Sequence, residues 1–131
     1  MAISEATADK IASGGYGTVG TNIFIGLMPD TPEACVTVYE GIGPGIIEHF
    51  GGGVSLDIVG VQVTVRGSRD DYPTARNLAV NIRNYLATIT EETVGGLRIL
   101  RMKPEGYINS IGRDPEDRPL FTMNFLATVV A

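Results

Sequence analysis

One cysteine, one histidine and two lysines in 131 residues leave few reactive side chains, and each shortage closes a class of function. Cys35 has no cysteine to pair with inside the chain, so a disulfide-stapled secreted scaffold is excluded. His49 stands alone, without the paired cysteines or second histidine of a zinc site. The acidic turn at Asp114, Glu116 and Asp117 lacks the twelve-residue loop and terminal Glu of a calcium hand. Neither a cofactor nor a metal ion is expected. No apolar run approaches the roughly 20 residues that cross a bilayer, and the opening MAISEATADKIASGG shows neither a basic leader nor an apolar h-region. The chain is expected in a cytoplasm, with no membrane partner. Ten Lys and Arg against fifteen Asp and Glu give a net charge of −5, which disfavours wrapping nucleic acid through phosphate neutralisation.

What the chain does have is apolar residues, 44% of the total. A chain of this length buries roughly two-thirds of its unfolded surface as one domain, and no linker divides it, so residues 1–131 are expected to form a single unit. The clearest pattern runs from Gly60 to Leu86. VQVTVRG alternates with period two, placing Val61, Val63 and Val65 on one face of a strand and Gln62, Thr64 and Arg66 on the other. DYPTARNLAVNIRNYL then repeats apolar residues at Ala75, Leu78, Ala79, Ile82, Tyr85 and Leu86 with helical spacing. Asp70 and Asp71 before it suit the helix dipole, and Pro73 falls in the first turn, where a missing N–H costs nothing.

Elsewhere the spacing predicts a short helix over Ser4–Ala12, ended by Gly14 and Gly15, and strands over Asn22–Met28, Cys35–Tyr39, Leu97–Met102, Tyr107–Ile111 and Leu120–Val130. In the last of these, Phe121, Met123, Phe125, Ala127 and Val129 share a face, which marks a central strand. From Gly41 to Gly53, GIGPGIIEHFGGG is too rich in glycine for a stable helix or a central strand, and a long flexible loop is expected. The fold class is α+β: a twisted sheet of four to five strands, mixed or antiparallel, against two helices.

No constellation of catalytic residues stands out. The glycine cluster has Pro44 where a phosphate cradle needs a donor, and no Lys-Ser/Thr pair follows it. Ser55 has no nucleophile elbow around it. Cys35 suits a small buried hydrophobe, and Glu91 and Glu92 read as solvated. The one enzymatic alternative is a small hydrolase or ligand-binding enzyme using His49 and Glu48 with a residue of the closing turn. Eight of the ten bases are Arg, whose planar guanidinium suits protein interfaces.

Three segments, IFIGLMPDTPEACVTVYEGIGP, VQVTVRGSRDDYPTARNLAVNIRNYL and RPLFTMNFLATV, together resemble the minor capsid or tail-terminator proteins of long-tailed bacteriophages. The resemblance covers Ile23 to Val129 and implies a non-enzymatic virion protein that works as a homo-oligomeric ring, usually a hexamer. Such a ring caps the tail tube, meets the tube protein and a head-completion or neck protein, and lets genomic DNA through its lumen without specific binding. Ring symmetry needs two different patches that fit each other. The residues expected at subunit or tube contacts are His49 and Phe50 in the glycine-rich segment, Arg66, Arg69 and Asp70 at the strand-to-helix turn, Arg76 and Arg83 on the helix, and Arg113, Asp114 and Arg118 in the closing turn.

Overall fold

The computed structural model describes residues 2–50 and 54–130, with side chains described outside 42–55. Chain order is α1 (Ile3–Ser13), β1 (Ile23–Ile25), β2 (Cys35–Phe50), β3 (Val54–Arg66), α2 (Tyr72–Leu86), β4 (Thr90–Val94), β5 (Leu97–Pro104), β6 (Asn109–Arg113) and β7 (Pro119–Val130). The seven strands form one sheet in the order β1-β2-β3-β7-β5-β4, with β6 also paired to β7. Among the described residues β1 pairs with β2 in parallel, and the other pairs of named strands are antiparallel. Because β3 occupies one edge of β7 over its whole length, β5 and β6 must follow one another along the other edge. The expected class and mixed sheet are present, with more strands than the four or five expected.

The alternation read from the sequence becomes the core. Val61, Val63 and Val65 face the helices together with Val36 and Val38 of β2 and with Phe121, Met123, Phe125 and Ala127 of β7, all almost wholly buried. Ile3, Ala6, Ala8 and Ile11 of α1 and Ala75, Ala79, Ile82 and Leu86 of α2 close that layer from above. Asp71 caps α2, its carboxylate accepting the Thr74 N–H at 3.3 Å, with Pro73 just inside the helix. The turn that feeds α2 is tight: a Cβ on Gly67 would lie 2.5 Å from Ala75 Cβ, so glycine is required there by close approach.

The segment expected as a loop from Gly41 to Gly53 differs most. Gly41 to Phe50 continues β2 and pairs with β3, Glu48 opposite Leu56, His49 opposite Ser55 and Phe50 opposite Val54; residues 51–53 lie outside the described residues. The glycines are accommodated by two register shifts, between Gly41 and Gly45 and between Ile46 and Glu48, which is where bulges absorb residues that a regular ladder cannot. Strand β4 was not expected at all. Its Glu92, read as solvated, bonds Lys10 of α1 at 2.7 Å, and Glu91 pairs with Arg98 of β5.

Candidate functional site

The face of the sheet turned away from the helices is polar, as expected, yet part of it is buried. Thr37, Thr64 and Thr122 lie side by side across β2, β3 and β7, and Arg66 lies one step further along. What covers this end is an irregular strap, residues 26–34, rich in the prolines that keep it from regular structure. Arg66 holds it: Nε donates to the Glu33 carbonyl at 2.7 Å, and Nη2 to the carbonyls of Pro29, Asp30 and Pro32 at 2.6, 3.2 and 2.8 Å. A buried guanidinium is tolerated because its Nε and Nη2 donors meet backbone carbonyls of the strap.

Arg118 works beside it. Its Nη1 and Nη2 reach the carbonyl and carboxylate of Asp30 at 2.8 and 3.0 Å, and its Nε reaches Asp114 Oδ2 at 2.7 Å. The other Asp114 oxygen accepts the backbone N–H groups of Glu116 and Arg118 at 3.0 and 2.9 Å, closing the turn as an aspartate does when it mimics backbone. Burial opposes the Asp114 charge, but the hydrogen bonds from the Arg118 backbone and side chain and the Glu116 backbone outweigh it and hold the carboxyl below its ordinary 3.8. Burial likewise pushes the Cys35 thiol up, against the pull of the nearby Arg66 and Arg118 charges; the thiol is a packed, unreactive group.

Around this clamp, Arg69 donates to the Glu116 carbonyl at 3.2 and 3.3 Å, and Arg113 donates to the carbonyls of Arg69 and Asp117 at 2.9 and 2.7 Å. The structure thus brings Arg66, Arg69, Arg113, Asp114 and Arg118 together, but as an internal tie between the strap, the turn before α2 and the turn before β7. Arg66 and Arg118 have their guanidinium groups inside the subunit, where they are not free to meet a neighbour's acids. Asp70 remains exposed on an open cleft with Glu33, Ser68 and Asp71. Arg76 is exposed and makes no hydrogen bond or ion pair among the described residues, while Arg83 donates to the Gly106 carbonyl and lies 5.0 Å over the Tyr107 ring. The side chains of His49 and Phe50 lie outside the described residues.

The enzymatic alternative is set apart by register. His49 pairs beyond the Leu56 end of β3, whereas the closing turn adjoins Pro119, next to Arg66 at the other end. Ten strand steps separate the two ends, roughly 33 Å at about 3.3 Å per residue. Among the described residues no group of three or more metal-ligating side chains occurs, and no helix is long and apolar enough to cross a membrane. Missed by sequence reasoning were the exposed apolar side chains Ile25, Leu27, Tyr107 and Ile111. Their signal is weak, since each sits in an apolar stretch that also reads as core.

Asp114 supplies a pH test. A carboxyl whose pKa falls on folding stabilises the protein above its unfolded value and loses that contribution as pH drops through the folded one. Unfolding by urea from about pH 7 to about pH 3 should therefore show stability declining once pH approaches 3.8, and Asp114→Asn should be weaker at neutral pH with a flatter acid limb.

The fold and its internal clamp define a small α+β scaffold whose polar network ties its own turns together. The chain belongs to the bacteriophage tail terminator protein family, whose model matches residues 10–131. In the comparison with curated proteins nothing matches the chain. Among solved structures, a chain of the virion of a native gene transfer agent particle shares the fold at a TM-score of 0.69 and 13% identity, covering 99% of this chain and 96% of that one.

Proposed function

We propose that the chain terminates a phage tail: it assembles as a ring of its own copies, usually six, on the finished tail tube and joins it to the neck or head-completion protein. The match to the tail terminator family over residues 10–131 carries this reading. The geometry supports it, because Arg66, Arg113, Asp114 and Arg118 lock the strap and the turns of the subunit in place. Such a protein acts by shape and by its edges. The net charge of −5 supports a lumen that repels phosphates, letting DNA slide through without adhering.

Particles made without this chain should carry tails that fail to join heads, and images of complete particles should place a ring of it at the tail's head-proximal end. Its absence from purified particles would sink the reading. A net-positive lining of the assembled ring would overturn the repulsive lumen alone.

A further inference from the structure

The strap of residues 26–34 is fastened at its ends and only lightly between them. It connects β1 to β2, which pair in parallel with Ile23 opposite Val36 and Ile25 opposite Val38, so the chain must leave the sheet, cross its polar face and return. Both ends are fixed: the Gly26 N–H donates to the Val38 carbonyl at 2.9 Å, and the Val36 N–H to the Asn22 carbonyl at 2.9 Å. The middle is not. Among the described residues no backbone-to-backbone hydrogen bond involves residues 27–34, and none of their side chains is buried; Met28 and Pro29 are half-buried and the rest are exposed.

What holds the middle down is polar. Arg66 and Arg118 donate six hydrogen bonds to the carbonyls of residues 29, 30, 32 and 33 and to the Asp30 carboxylate, and water can replace each of them on opening. Two groups beneath gain from that water. Arg66 is 4% exposed and, among the described residues, has no carboxylate within ion-pair distance, so its charge recovers hydration when the strap lifts. The Thr37 hydroxyl, on the same face of β2 as Cys35, is buried without a hydrogen-bond partner among the described residues and recovers one. The apolar core lies on the other face of the sheet, against the helices, and is left intact.

We propose that the strap is a lid: residues 26–34 open and close as a unit on a sheet that stays folded, at a free energy well below that of global unfolding, and each opening uncovers Cys35 with the guanidinium groups of Arg66 and Arg118. This is a property of the single subunit, whether or not copies assemble. The open form shows two cations that the closed form hides, and Leu27, already 75% exposed when closed, moves with the lid. The surface offered to a partner therefore has two forms.

Cys35 reports the opening, being the sole cysteine of the chain and 3% exposed when the strap is closed. Labelling of the native full-length chain by excess iodoacetamide should proceed at a rate that stays nearly flat at low urea, since lid opening exposes little surface, and turns upward only near the unfolding transition. Phe121→Leu weakens the core on the other face and should leave the flat rate within about twofold. Arg66→Met should raise it on the order of a hundredfold, although losing the Arg66 charge makes the thiol less acidic and by itself slows labelling. A rate that climbs from the start with the full urea slope of global unfolding, or that rises in Phe121→Leu, would mean that Cys35 is reached only by unfolding and would overturn the lid. An unchanged rate in a folded Arg66→Met would do the same. Should that variant fail to fold, the urea profile and Phe121→Leu decide the matter alone.

Discussion

Truncating Phe121 to Ala will cost about 4 kcal/mol of folding stability, the middle of the range for emptying a buried aromatic site. Phe121 is 1% exposed and sits on β7, the strand flanked by β3 on one edge and by β5 and β6 on the other. Its ring meets that of Tyr72, in the first turn of α2, edge to face at 5.0 Å, and across the sheet it lies opposite Val65 and Ser110. The space cannot collapse easily, because a strand paired on both edges does not move inward without breaking its ladders. Against a total of roughly 5–15 kcal/mol for a domain, that loss removes a large share. Chemical denaturation should show a lowered midpoint with little change in slope. Phe121→Leu, which keeps most of the volume, should lose less than half as much, and equal losses would mean that cavity formation is not the cause.

The same strand shows how far sequence reasoning reaches. Phe121, Met123, Phe125, Ala127 and Val129 alternate so cleanly that both the strand and its buried face were legible, and α2 was legible from its spacing and from Asp71 and Pro73. Elements whose reason is tertiary were not. Gly41 to Phe50 is strand because β3 offers it a ladder, and the bulges that make room for its glycines have no local signature. TEETV of β4 has no alternation of its own; it is held by β5 and by Lys10, which lies 82 residues from Glu92.

Of the candidate site, the residue types were legible and their partners were not. Eight arginines suggested contact with a neighbour, yet Arg66 and Arg118 find carbonyls and a carboxylate within the chain, up to 88 residues away. Local pattern registers a charged side chain on the polar face of a strand; it carries no trace of a strap that will fold over it. The exposed arginines that remain, Arg76 foremost, are distinguished only by what surrounds them in three dimensions.

Replacing Arg66 with Met separates the strap from the rest of the fold. Met keeps much of the apolar stem that packs beside Cys35 and Leu120 but removes four hydrogen bonds to the carbonyls of residues 29, 30, 32 and 33. Hydrogen bonds to a charged donor contribute roughly 1.5–3 kcal/mol each. They do not add here, because water reaches the freed carbonyls once the strap lifts, so a net loss of about 3 kcal/mol is expected. Hydrogen exchange should show the opening confined to residues 26–34, with the amides of β3 and β7 keeping their protection. Leu27 rides on that strap. On the ring reading proposed above, displacing this exposed apolar group should lower assembly more steeply than folding: Arg66→Met at a temperature where it remains folded should fail to form rings, whereas Phe121→Leu at matched stability should still form them. If the two variants assemble alike at equal stability, the strap's position has no bearing on how copies meet.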